Sequence, residues 1–245
     1  KIALGGNHAT IYKKRCLEEA PEAEFVMMNE CEETIMEVVN ALEKGTKFDN
    51  ILGLIYRDGN IIKQNPPRPL IQDLDALPLP ARELLNIYNY VPAPEQYRRK
   101  PVTNIMTSRG CPFHCTFCTS RESGMRLRSP ENVFEELQEL VYKYGIREVA
   151  IWDDTFTLVQ KRVVGISRLI KENKLDIIWS SHSRVNTITP QTLKEMKEGG
   201  CWKIFYGVES LVQKNLDAVR KDITVQQVFD AIKWTREAGI ESETS

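Results

Sequence analysis

No apolar run in this 245-residue sequence approaches the roughly 18–20 residues that a membrane-spanning helix requires. Net charge is nearly absent as well, with 33 Lys and Arg facing 34 Asp and Glu for a formal −1. No global field therefore draws the chain to nucleic acid or to an anionic membrane, and only local basic patches remain for such contacts. Low-complexity tracts and sequence repeats are missing too. What is left, 42% apolar and 27% charged residues, is the mixture of an ordinary globular protein, long enough for one large domain or two modest ones.

Cysteine is scarce and unevenly placed. Of six, three fall within eight residues: Cys111, Cys115 and Cys118. A disulfide scaffold in a small secreted domain spreads its cysteines along the chain. This crowding instead predicts reduced thiolates in a cytoplasmic setting, gathered around a metal centre. Cys16, Cys31 and Cys201 read as small buried hydrophobes.

Residues 1–64 alternate strand and helix signals. Lys1-Ile2-Ala3-Leu4 predicts a strand, Gly5-Gly6 a turn, and a helix follows from about Thr10. A second strand is predicted at 24–28. The spacing of Ile35, Val38, Val39 and Leu42 predicts a helix over 32–44, stopped by Gly45. Asp58-Gly59, between apolar runs at 51–56 and 60–62, predicts a hairpin. Residues 65–100 differ in kind, because seven of the twelve prolines lie between Pro66 and Pro94. That density excludes long helices and central strands and predicts a surface-packed linker, with one short helical stretch at 84–90.

From residue 101 to 245 strands and helices alternate again. Strands are predicted at 102–107, 148–152, 177–181 and 203–208. Helices open at Ser129-Pro130, Thr189-Pro190 and Thr224, and another covers about 160–173. This is repeated βαβ architecture, a parallel sheet or barrel. The sequence opens directly in a strand and stops shortly after Gly239, where a next strand is due. It is therefore expected to be a piece of a longer protein, open at both ends.

Catalytic groups of such barrels sit where strands end. The first strand leads into the three cysteines, the second into Asp153-Asp154, the third into Arg184 and the fourth into Glu209-Ser210. The spacing Cys-x3-Cys-x2-Cys delivers three thiolates from one loop. Iron–sulfur clusters usually take four cysteines, and three leave one metal position open, as a catalytic centre needs. Structural zinc, the alternative, needs a fourth ligand from His114 or Cys201. His114 lies inside the loop between two thiols, and Cys201 starts its strand at the opposite end from the rim. Residue by residue, one of the Asp pair could be a helix N-cap, Arg184 a salt-bridge partner, and Phe117 a loop anchor. Trp152, Trp179 and Trp202 read as core.

The segment Arg109-Gly110-Cys111-Pro112-Phe113-His114-Cys115-Thr116-Phe117-Cys118 resembles the signature loop of radical S-adenosylmethionine (radical SAM) enzymes. The resemblance implies a 4Fe-4S cluster on Cys111, Cys115 and Cys118, whose open iron takes the amino and carboxylate groups of S-adenosylmethionine. An electron from the cluster would then break the sulfonium bond and release a 5′-deoxyadenosyl radical. It further implies that Asp153 and Asp154, where the family often has Gly-Gly-Glu, approach the amino end of the cofactor. Arg184 would pair with its carboxylate, Glu209 and Ser210 of Gly207-Val208-Glu209-Ser210 would approach the ribose, and Phe117 would lie beside adenine.

Upstream, Gly5-Gly6-Asn7-His8-Ala9-Thr10, Asn29-Glu30-Cys31-Glu32-Glu33-Thr34 and Leu74-Asp75-Ala76-Leu77-Pro78-Leu79-Pro80-Ala81-Arg82 resemble the cobalamin-binding class of these enzymes. That class implies an α/β chain in three parts. Residues 1–64 would be the C-terminal part of a Rossmann-like cobalamin-binding domain, 65–100 a proline-rich linker, and 101–245 an incomplete radical SAM (β/α) partial TIM barrel. Gly5 and Gly6 would let the backbone approach the nucleotide tail of cobalamin. The resemblance also implies an electron donor such as flavodoxin or ferredoxin, a small-molecule or lipid-like substrate and no nucleic-acid partner. Methyl transfer is the expected reaction, with cyclisation or rearrangement as alternatives within the class. A radical methylthiotransferase would need a second cysteine-bound cluster, for which this sequence carries no cysteines. From another class altogether, the rival is a non-catalytic zinc-stabilised binding module.

Overall fold

Two units divide the chain, Lys1–Gln72 and Asp73–Ser245, in a computed structural model that describes residues 1–120 and 123–245. The first contains β1 (Ala3–Leu4), α1 (Gly6–Tyr12), α2 (Lys14–Glu19), β2 (Phe25–Met27), α3 (Glu32–Lys44), β3 (Leu54–Asp58) and β4 (Ile61–Gln64). Its sheet runs β1-β2-β3-β4, with β1 parallel to β2 and the other pairs antiparallel. All of β2 is buried, because both faces of the sheet are covered. Val26 and Ile55 pack with Ala9 and Leu17 of the first two helices. Phe25, Met27 and Tyr56 pack with Val38 and Ala41 of α3. That alternation is the period-two rule of a strand buried on both sides.

The hairpin forms at Asp58-Gly59, and α3 has the predicted limits. The helix expected from about Thr10 starts earlier, at Gly6, and is interrupted at Lys13, whose φ is 52°. Cys31, expected to be buried, is only partly so and takes the N-cap position of α3. The proline-rich stretch is shared between the units. Its first part stays with the first unit, where Asn65 Nδ2 donates to Phe48 O and Ile51 O at 2.7 and 2.9 Å. Arg68 bonds Thr34 at 2.9 Å and Glu33 at 2.7 Å, and also pairs with Glu37.

The second unit follows with β5 (Val102–Ile105), β6 (Ser108–Arg109), β7 (Arg126–Leu127), α4 (Pro130–Tyr142), β8 (Glu148–Ile151), α5 (Gln160–Glu172), β9 (Ile178–Ser183), α6 (Pro190–Glu198), β10 (Cys201–Tyr206), α7 (Gln213–Ala218), α8 (Val225–Glu237) and β11 (Glu241–Thr244). Five strands form one parallel sheet in the order β11-β10-β9-β8-β5. Spatial order thus follows chain order, the signature of an open stretch of (β/α) barrel. One face presents Val149, Ile151, Trp179, Ile204 and Tyr206 to Val133, Leu137, Val163, Ile166 and Leu193 of the helices, forming the core. Ser129 Oγ accepts from Asn132 N, Thr189 Oγ1 from Thr192 N, and Thr224 closes a capping box with Gln227. Each such cap contributes about 1 kcal/mol.

Residues 73–100 contain short 3₁₀ turns at Arg82–Leu84 and Ile87–Asn89, where a short helical stretch is expected. Just before β5, the backbone N–H groups of Arg98 and Arg99 donate to Glu148 at 2.8 and 2.7 Å, and Trp202 Nε1 donates to the same buried carboxylate at 2.8 Å. Trp179 and Trp202 are core, but Trp152 is 56% exposed, because it follows β8 on the face away from the helices. No helix among the described residues is long and apolar enough to cross a membrane.

Gly199 caps α6 directly over α5. A Cβ there would lie 2.6 Å from Ser167 Cα and 2.7 Å from Ser167 O, backbone that no rotamer can clear. The φ of Gly199 is −85°, so alanine meets no left-handed strain. Restricting the unfolded chain would favour Gly199→Ala by about 0.4–1 kcal/mol, while overpacking costs about 1–3 kcal/mol. Overpacking wins: urea unfolding of Gly199→Ala is expected to show a net loss of stability, and a gain would refute the close approach of the helices.

Candidate active site

The cysteine loop hangs from a two-rung antiparallel ladder, Ser108 opposite Leu127 and Arg109 opposite Arg126. Its entry residue, Thr107, is held from two sides. Asp153 Oδ1 accepts from Thr107 N at 2.6 Å and from Ser108 N at 3.1 Å, and Oδ2 accepts from Thr107 Oγ1 at 2.5 Å. Arg162 of α5 donates through Nη2 to Thr107 O at 2.6 Å and through Nε to Arg128 O at 2.7 Å. A single guanidinium therefore ties the start of the loop to its end. Burial lowers the pKa of Arg162, and the nearby Asp153 charge opposes that shift.

Inside the loop, Gly110 has φ of 85°, and a Cβ on it would lie 1.9 Å from Gly124 O. Only glycine fits. Cys111 and Cys115 are buried and Cys118 is partly so. The Cys118 N–H closes a turn on Cys115 O at 3.1 Å, and Thr116 N donates to Val219 O at 3.0 Å, tethering the loop to the residues after α7. Thr155 places its hydroxyl 3.9 Å from the Cys111 sulfur. Arg184, 5% exposed, stacks 3.7 Å from the centre of the Phe113 ring. Its Nη1 donates to Cys115 Sγ at 3.3 Å, Nε to Asn186 Oδ1 at 3.3 Å, and Nη2 to Lys221 O.

The structure sorts the predicted residues. Asp153 is buried with both oxygens engaged. It clamps the cysteine loop rather than standing open to a cofactor, and it is not a helix cap. Asp154, beside it, is exposed. Both terminal nitrogens of Arg184 already have acceptors, so a bidentate grip on a cofactor carboxylate would require one to be released. Ser210 Oγ is occupied by Val212 N at 3.1 Å and Asn215 Nδ2 at 3.2 Å, at the start of α7. Glu209, in left-handed backbone with φ of 69°, accepts from Lys221 Nζ at 2.9 Å. Lys221 is 5% exposed and stands 5.7 Å from the centre of the exposed Phe117 ring. Sequence reasoning missed Lys221, because it sits between two helices rather than at a strand end. In the other unit, Gly5 is the N-cap of α1 and Gly6 its first residue, directly after β1, and a Cβ on either meets nothing within 4 Å.

Among the described residues no group of three or more His, Cys, Asp and Glu side chains is arranged as a metal-holding set. The donor chemistry is nonetheless specific. Three thiols on one loop, one of them against a buried guanidinium, suit a soft iron–sulfur centre with one open position. The sequence pattern of the radical SAM superfamily matches residues 105–245, a span that opens at the last residue of β5 and holds the loop, its clamp and the other four strands of the parallel sheet. The chain belongs to the radical SAM superfamily.

Its cofactors are therefore a 4Fe-4S cluster and S-adenosylmethionine. Across 98% of its length this radical SAM chain is 43% identical to an uncharacterized methyltransferase of Pyrococcus horikoshii, covering 52% of that protein. It is 30% identical to the anaerobic magnesium-protoporphyrin IX monomethyl ester cyclase of Cereibacter sphaeroides, over 98% of this chain and 40% of that one. It thus spans about half the length of the curated relatives it matches. In fold it is similar to the radical S-adenosylmethionine methyltransferase TsrM of Kitasatospora setae, solved with cobalamin and a [4Fe-4S] cluster bound. The TM-score is 0.77 at 18% identity, covering 99% of this chain and 48% of that one.

The two neighbouring aspartates make a direct test. Asp153→Ala strands two buried N–H groups and a hydroxyl, and is expected to cost on the order of 3 kcal/mol. Asp154→Ala, on the surface, should stay within about 0.5 kcal/mol of wild type. Equal denaturation midpoints for the two variants would remove Asp153 from the clamp.

Proposed function

We propose that this chain is part of a cobalamin-dependent radical SAM methyltransferase. The observation that carries the reading is the 43% identity to a methyltransferase across 98% of the chain, spanning both structural units. The fold it shares with TsrM, a methyltransferase solved with cobalamin, supports the same reading. In it, Cys111, Cys115 and Cys118 hold the cluster, and the cluster with adenosylmethionine supplies reductive cleavage of the sulfonium. The chain's own residues orient and shield. Arg184 donates to the Cys115 sulfur and holds it in place, Asp153 and Arg162 fix the loop, and the Lys221–Glu209 pair beside Phe117 offers a charged edge and an aromatic face for the ribose and adenine. Gly5 and Gly6 leave open space at the carboxyl end of β1, where ligands of open α/β sheets bind. Cytoplasmic residence and an electron donor of the flavodoxin or ferredoxin kind belong to the same proposal.

A second reading, ring formation, is favoured by the 30% identity to the cyclase. The non-catalytic zinc module gives way to superfamily membership.

The test uses the full-length protein, reconstituted anaerobically with its cluster and hydroxocobalamin, reduced with a low-potential reductant such as titanium(III) citrate that supplies the electrons for cobalamin and cluster, and given S-adenosylmethionine labelled in its methyl group. Methyl transfer predicts that the label passes to bound cobalamin and that Gly5→Leu blocks corrin binding while sparing iron content. Gly5 is the informative position: its φ of −145° is extended backbone that leucine adopts freely, whereas Gly6, at 87°, would add strain of its own. Adenosylmethionine cleavage with no labelled corrin would favour ring formation instead.

A further inference from the structure

The inner face of the five-stranded sheet and the residues from Leu74 to Pro92 enclose a cavity of about 930 Å³. That is the size of a site for a bulky small molecule. One wall is aromatic. His182 stands edge-to-face between Trp152, at 6.0 Å between ring centres, and Phe205, at 5.3 Å. The opposite wall is leucine and proline with Tyr90. Trp152 is 56%, Met106 58% and Tyr90 66% exposed, so these walls present unfilled apolar surface. Such surface gains roughly 25 cal/mol for each Å² removed from water.

The charged residues that line the cavity are Arg82, Arg128 and Glu136 on one side, Lys203 and Glu243 on the sheet, and Arg109 at the base of the cysteine loop. Arg82 and Arg128 both line the cavity and share the carboxylate of Glu136, leaving one net positive charge. Glu136 is 1% and Arg82 8% exposed, so this charge is set in the wall and not on a solvated rim. Arg82 bonds Glu136 through Nη2 alone, and its Nε and Nη1 have no bond among the described residues. Lys203, the cation on the sheet side, is already paired with Glu243. Ser108 and Arg109, at the base of the cysteine loop, line the same space, so an occupant would reach the chemistry.

We infer that this cavity takes the methyl acceptor, and that the acceptor is an anionic amphiphile, with a flat apolar body against Trp152, His182 and Phe205 and a carboxylate or phosphate on Arg82, since every nitrogen of Arg128 is already engaged by Asn132, Met106 O or Glu136. That its occupant is a substrate rests on the methyltransferase reading. The binding chemistry does not.

Two probes with one body separate these points: 1-pyrenebutyrate and 1-pyrenebutanol, titrated by fluorescence into full-length protein without adenosylmethionine. The anion is expected to bind at least about tenfold tighter than the alcohol, as one charge-assisted contact implies. Arg82→Met should reduce the anion to the alcohol's affinity, and Trp152→Ala should weaken both about tenfold, as losing an aromatic anchor does. The wild-type preference and the Trp152→Ala effect decide the matter even if Arg82→Met, which strips one partner from buried Glu136, fails to fold. No binding, equal affinity for the two probes, or undiminished binding by Trp152→Ala overturns the inference. No methyl donor is present, so failure here leaves the labelled-methyl experiment standing, and failure there leaves this one.

Discussion

A buried carboxylate and a buried guanidinium meet at Thr107, and the placement of the cysteine loop follows from that meeting. Asp153 takes the amide and hydroxyl of Thr107, and Arg162 takes its carbonyl together with that of Arg128. The backbone polar groups at the root of the loop thus find partners without solvent, which a buried loop must achieve. Arg162 Nη1 itself finds no acceptor among the described residues. Part of the cost of burying that charge is offset by the carboxylate beside it and by the two carbonyls it binds.

Everything at the rim is built outward from this root. Gly110 can approach Gly124 only because it has no side chain. Beyond it, Arg184 joins the loop to two other segments, stacking on Phe113, touching the Cys115 sulfur and donating to the carbonyl of Lys221. Lys221 then reaches Glu209. The third and fourth sheet strands and the loop before α8 are thereby coupled to the Cys115 sulfur. The core packing lies on the other face of the sheet.

The alternation of strands and helices, the caps at Ser129, Thr189 and Thr224, and the hairpin at Asp58-Gly59 were legible because each is written in local spacing or turn chemistry. The cysteine triplet was legible for the same reason. Three features were not. The β6–β7 ladder is too short to leave a periodic trace. The clamp role of Asp153 depends on Thr107 and Ser108, remote in sequence and joined to it only by the parallel register. Trp152 reads as core from its neighbours in β8, yet strand alternation continued one residue past Ile151 turns it to the cavity. Tertiary pairing, not propensity, decides all three.

The central claim is that Cys111, Cys115 and Cys118 carry a 4Fe-4S cluster on a loop preset by protein contacts. Iron and sulfide analysis after anaerobic reconstitution, with electron paramagnetic resonance of the reduced protein, tests it most directly. About four irons with matching sulfide are expected, as a cubane requires. They should be lost on replacing any one of these cysteines by alanine and retained in Cys16→Ala and Cys31→Ala. Stoichiometric zinc without iron, or a full cluster in Cys115→Ala, would contradict the account.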